Sequence, residues 1–184
     1  MSHSTMHYVP DCGAIVSAVE FRNAWGWSAS VWSRCCKHLL RVDENAWLHG
    51  KPATFDAIFE LIDNAALPRE IRLVIQMTDD KAIVLRDRFE EVARALEAFD
   101  ATYPANHGYV NHLPAIAAAL REVPPALDDG RPIIGVCLTG TSVADDQWDR
   151  EDPSVEDGWR AFDFSLDSDR IIVGEYEDAH DPAR

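Results

Sequence analysis

The sequence predicts an α+β domain, with paired helices packed on a mixed or antiparallel sheet. Stretches with helical periodicity come in adjacent pairs instead of alternating singly with strands. Apolar β-branched runs stand apart from them. Hydrophobic residues make up 47% of the 184 positions and charged residues 27%, an ordinary globular balance. The expected order is β-α-α-β-β-α-α-β-β-β. Residues 1–10 read as a disordered N-terminal segment, 11–177 as one domain and 178–184 as a frayed tail.

Residues 14–21 are β-branched and apolar and read as the first strand. Ser28 or Ser30 can cap a helix reaching about Leu40, with Val31, Trp32, Cys35 and Leu39 on one face. After Gly50-Lys51-Pro52, Phe55, Ile58, Phe59 and Ile62 repeat at i, i+3, i+4, i+7, so a second helix is expected over residues 54–64. Residues 71–77 read as a strand that turns at 78–81 and returns over 82–85. Asp87 and Glu90 have capping-box spacing for a third helix that buries Phe89, Val92, Leu96 and Phe99. A fourth helix is expected over residues 113–122, with Pro114 in its first turn. Residues 133–138 are apolar without alternation, as in a strand buried on both faces. Residues 161–166 and 171–176 flank Asp167-Ser168-Asp169-Arg170 and read as a hairpin.

Cysteine usage points to a reducing compartment, because Cys12, Cys35, Cys36 and Cys137 form no C-x-x-C pair and adjacent cysteines rarely bridge. The first eight residues lack the basic and apolar regions of a signal peptide, so a cytoplasmic location is expected.

Charge is concentrated late in the chain. The formal net charge is −15, and residues 123–184 hold 16 acidic residues against 5 basic ones. Such a field repels phosphate backbones and anionic membranes and attracts basic surfaces. A basic protein is therefore the expected partner, and nucleic acid and membrane are not.

Motifs for chemistry are sparse. There is no phosphate-binding glycine loop, nucleophile elbow or H-E-x-x-H. Thr139-Gly140-Thr141-Ser142 lacks the lysine of an anion site and reads as a strand-ending turn. His107 and His112 would need a carboxylate to hold a metal, and read as a capping or surface pair. Cys35 could meet His38 on one helix face, but this thiol and that of Cys137 read as buried and inert. Trp25, Trp27, Trp32 and Trp47 read as core. No catalytic residue, metal or cofactor is assigned.

The richest segment runs from Asp145 to Trp159, with seven carboxylates against one arginine. Its spacing does not fit a calcium loop. It reads either as a solvated loop with tucked tryptophans or as a protein-binding surface with aromatic anchors in an acidic frame. The second reading names Asp145, Asp146, Trp148, Asp149, Glu151, Asp152, Glu156, Asp157 and Trp159 as contacts. The functional expectation is a non-catalytic acidic binding module, in its sharpest form a bacterial immunity or inhibitor protein that neutralises a basic toxin or enzyme. One alternative is an enzyme with a small-molecule pocket near Trp25 and Trp27, using Glu20, Asn23, His107 and His112. Another is an accessory or structural oligomer.

Overall fold

The computed structural model describes residues 3–22, 27–49, 52–79, 81–105, 110–139, 148–156 and 158–175. The chain opens with an antiparallel pair, β1 (His3–Pro10) and β2 (Val16–Arg22). Helix α1 (Trp27–Arg34) runs into a π-helical stretch, Cys35–Leu40, which ends at Arg41 in the left-handed region with φ 57°. Helix α2 (Pro52–Glu60) is prolonged by a 3₁₀ turn, Leu61–Asp63. Then come α3 (Arg69–Gln76), β3 (Ala82–Leu85), α4 (Phe89–Thr102), α5 (Leu113–Glu122) and β4 (Ile133–Leu138). Three short strands close the fold: β5 (Asp149–Glu151), β6 (Trp159–Ala161) and β7 (Ile171–Ile172).

Five strands form one sheet in the order β2-β1-β4-β3-β7. Its pairs are antiparallel except β3 with β7, which is parallel. The fold is α+β with a mixed sheet, as the sequence predicts. Strands β5 and β6 form a separate antiparallel ribbon. None of the described helices is long and apolar enough to cross a membrane.

The sheet divides two apolar layers. Ala82 and Val84 of β3, with Val136 and Leu138 of β4, join the helices in one core. Ile83 and Cys137 face the other way and pack with Val9, Trp148 and Phe162. Strand side chains alternate between faces. A strand covered on both sides therefore needs an unbroken apolar run, and 133–138 supplies one.

Several elements differ from the sequence reading. Residues 3–10, expected to be disordered, form β1, a sheet-interior strand with neighbours on both sides. Its polar residues mask a buried alternation in which Ser4 and Met6 are fully buried beneath the helices. Residues 71–77, expected as a strand, lie mostly in α3. Ile71, Leu73, Val74, Ile75 and Gln76 are all buried there, and Ile71, Val74 and Ile75 form a short i, i+3, i+4 stripe opposite Arg69 and Arg72. Tertiary enclosure overrides the strand preference of Ile and Val. The hairpin expected over residues 71–85 is accordingly absent. No side-chain capping bond forms at the start of α4, and Glu90 pairs with Arg94 and Arg121 instead. The hairpin over 161–176 is also replaced. Asp163 accepts bonds from the Ser165 N–H (2.9 Å) and hydroxyl (2.6 Å), which folds the chain into a turn. Residues 171–172 then pair in parallel with β3. The expected tail at 178–184 lies outside the described residues.

The helical layer is tied together by a buried cation. The Arg34 side chain is 0% exposed, and its Nη1 donates to Asp100 Oδ1 at 2.8 Å. Its Nη2 donates to Asn111 Oδ1 at 3.0 Å, and Asn111 Nδ2 donates to Asp100 Oδ1 at 2.9 Å. Breaking such a pair strands a charge in a region without water. Asp100→Ala should cost about 3–5 kcal/mol in chemical denaturation, whereas replacing both partners, Arg34→Met with Asp100→Leu, should cost far less. A loss below about 1 kcal/mol for Asp100→Ala would contradict a desolvated pair.

Candidate functional site

The acidic segment ends in the β5–β6 ribbon, whose register sorts its charges. Asp149 faces Ala161, Arg150 faces Arg160 and Glu151 faces Trp159. Side chains alternate along a strand, and opposite residues share a face. Asp149, Glu151 and Trp159 therefore lie on one face, and Arg150 and Arg160 on the other. Trp159 is 55% exposed, and Asp149, Glu151 and Glu156 are also exposed.

The arginine face is held inward. Arg160 forks onto Asp167 with contacts of 2.7 and 2.8 Å and meets Asp152 at 3.2 Å. Arg150 lies 3.3 Å from Asp169, which also pairs with Lys81 at 3.0 Å. The Arg150 guanidinium rests 5.0 Å over the Phe162 ring. The Arg160 guanidinium holds the Asp167 carboxyl below its usual range, and the Ser154 hydroxyl and N–H do the same for Asp152. Asp152 thus serves the ribbon's own folding.

Trp148 is not an exposed anchor. It is 4% exposed, packs edge-on against Phe162 at 5.3 Å and donates to the Leu138 carbonyl at 3.4 Å. It fixes the ribbon to the sheet's second face, because a large apolar ring at the ribbon's root gains more from burial than from water. Of the predicted contacts, Asp149, Glu151, Glu156 and Trp159 are exposed, and Asp152 is paired inward. Asp145, Asp146 and Asp157 lie outside the described residues.

The other candidates separate clearly. Burial raises the Cys35 and Cys137 thiols above their ordinary range, which leaves little thiolate at neutral pH. The His38 ring stacks on Tyr103 at 5.5 Å. Trp27 is fully buried, and Trp32, Trp47 and Phe55 form an edge-to-face cluster of 5.0–6.3 Å. Trp27, Trp32 and Trp47 are core, and Trp25 and Asn23 lie outside the described residues. Glu20 is exposed on β2. His112 tilts against Phe21 at 5.8 Å, and burial lowers its pKa. His107, its expected companion, lies outside the described residues. Among the described residues, no three His, Cys, Asp or Glu side chains sit together to hold a metal ion.

Two features escaped the sequence reading. One is a small cavity of about 230 Å³ lined by His7, Ser17, Thr139 and Asp149, among others. The Thr139 hydroxyl lies 3.2 Å from His7 Nε2 and the Ser17 hydroxyl 3.3 Å from Nδ1. Burial lowers the His7 pKa to about 4, so the ring is neutral at pH 7 and takes one donor and one acceptor role between the hydroxyls. The second is a cleft of about 500 Å³ between α2, the end of α3 and β7. Its acidic rim includes Asp56, Glu60 and Asp63, at i, i+4, i+7. That spacing was legible in the sequence as the polar side of the second helix.

Comparison with protein-family models, curated proteins and solved structures finds no match to this chain.

Two outcomes test this geometry. Trp148→Ala should lower unfolding stability by about 3–5 kcal/mol. Trp159→Ala should change it by less than about 0.5 kcal/mol in the same denaturation assay. Asp167 has a side-chain exposure of 10%, and its folded pKa lies below the unfolded value. Its ionised pair therefore stabilises the fold above the ordinary aspartate range, near pH 4, and the contribution is lost as pH falls through the folded pKa. Asp167→Asn should cost about 1–3 kcal/mol at pH 7, and the gap to the wild type should close in acid.

Proposed function

We propose that this chain is a non-catalytic acidic binding module for a basic protein, of the kind found in bacterial immunity or inhibitor proteins that neutralise a basic toxin or enzyme. The observation that carries this reading is the segregation of the β5–β6 ribbon. Asp149 and Glu151 share one face with the half-exposed Trp159, while Arg150 and Arg160 are turned away and paired. An aromatic anchor framed by carboxylates suits a basic surface, with the ring supplying buried area and the charges supplying encounter rate. The net charge of −15 extends the attraction beyond the contact itself. Trp148 belongs to the support of this surface and not to its contacts.

The test is capture of a basic partner at low salt, followed by stopped-flow association of the purified pair. Association should slow as salt rises, because exposed charges are screened. Reversing both Asp149 and Glu151 to Lys should slow association by about tenfold or more at low salt, and Trp159→Ala should act mainly on dissociation. An association rate indifferent to salt and to both reversals would remove the ribbon as the recognition surface.

A further inference from the structure

The cleft between α2, α3 and β7 has the composition of a ligand site. Phe59, Ile62 and Ile171 line it with apolar surface. Asp56, Glu60, Asp63 and Asp79 add four carboxylates. Its volume of about 500 Å³ falls within the range of roughly 300–1,000 Å³ usual for small-molecule sites.

The acids here differ from the paired acids of the helical layer. Glu90 and Glu97 share Arg121, and Asp100 holds Arg34. Among the described residues, none of the four cleft carboxylates forms an ion pair, and Asp79 only accepts the Lys81 N–H at 3.0 Å. They are also too dispersed to act as a metal cage, since no three acidic or ligating side chains among the described residues converge on one point. A spread of negative charge over an apolar wall suits an organic cation with a hydrocarbon body better than a bare ion.

Gln76 supplies an independent sign of a ligand. It lines the cleft and is 2% exposed. Its Oε1 accepts the Gly174 N–H at 2.7 Å, which fixes the amide orientation and assigns both N–H groups to Nε2. Gly174 sits at φ 88°, a conformation that residues with a Cβ rarely adopt, so the backbone that holds Gln76 favours glycine. Nε2 has no hydrogen-bond partner. A buried donor without an acceptor is costly, and such groups call for a partner. That partner must accept a hydrogen bond, and beside four carboxylates a neutral carbonyl suits better than a second anion.

We propose that this cleft binds a basic amino-acid residue. Its cationic head faces Asp56, Glu60, Asp63 and Asp79, its alkyl stem lies on Phe59, Ile62 and Ile171, and its carbonyl accepts from Gln76 Nε2. A guanidinium fits best, because its planar fork can meet two carboxylates at once. The site uses residues separate from the β5–β6 ribbon, so the two readings stand or fall independently.

Isothermal titration calorimetry of the full chain at low salt tests the assignment with three probes: Nα-acetylargininamide, its neutral isostere Nα-acetylcitrullinamide, and n-butylguanidine, a monocation without a carbonyl. Nα-acetylargininamide should bind saturably with one-to-one stoichiometry, and the citrulline compound should bind at least about tenfold more weakly. The butylguanidinium should also bind more weakly than Nα-acetylargininamide, because it leaves the Gln76 donor unmet. Asp56→Asn, Glu60→Gln and Asp63→Asn together should weaken Nα-acetylargininamide binding by a similar factor of about ten, with an unchanged unfolding midpoint because the three side chains are exposed. The double reversal of Asp149 and Glu151 should leave this affinity intact. The assignment is overturned if Nα-acetylargininamide fails to bind the wild-type chain, if the citrulline compound or n-butylguanidine binds as tightly, or if the triple amide variant binds as well as the wild type.

Discussion

Arg34 carries a permanent charge into a place that water does not reach, and the helical layer is arranged to accommodate it. All eight residues of α1 are buried, so the helix has no wet face to which a cation could escape. The charge has to be met from neighbouring elements instead. Asp100 reaches it from α4, and Asn111 reaches both of them from the segment leading into α5. The three side chains close a triangle linking the end of α1, the end of α4 and the entry to α5. Charge-assisted hydrogen bonds are directional as well as strong. The triangle therefore sets where three helices lie relative to one another, while the apolar contacts around it set how closely they pack.

With the helices fixed on one side, the sheet acts as a partition. Its strands β3 and β4 alternate between two apolar compartments, and the second compartment needs a lid. Residues 148–172 supply that lid through Trp148 and Phe162, with Phe164 and Ile172 at its margin. A lid only one ribbon thick has an inner face committed to packing and ion pairing. Whatever it presents outward is free for recognition. The acidic composition of the last third of the chain thus has two physical roles: Asp152, Asp167 and Asp169 restrain arginines, and Asp149, Glu151 and Glu156 project a field.

Elements with a clear apolar period or an unbroken apolar run were legible in the sequence. The α5 stripe of Leu113, Ile116, Ala117 and Leu120 and the buried run of β4 match the structure residue for residue. Legibility failed where residue type pointed away from the fold. The helical stripe of α3 is only Ile71, Val74 and Ile75, and its Ile and Val content suggests a strand. Strand β1 opens with His3-Ser4-Thr5 and buries even a serine, so its composition suggests disorder. At the site, the acidic frame and Trp159 could be named from composition. The inward turn of Trp148 depends on Phe162, fourteen residues further on, and no local pattern encodes it. The cleft was hidden for a similar reason: Asp56, Glu60 and Asp63 belong to one helix, but Gln76 and Ile171 reach it from distant parts of the chain.

The pairing of β1 with β4 has a consequence for the order of assembly. β1 can join β2 at once, across a short turn, but its other neighbour begins only at Ile133. All five described helices are translated in between. During synthesis at about 5–20 residues per second, the first hairpin waits many seconds with one edge unsatisfied. Closing a loop of well over half the chain adds an entropic cost that is met only when both strands are present. The nascent chain therefore holds its amino-terminal ribbon as an open template until β4 emerges, and the sheet is sealed from the centre outward, late in synthesis.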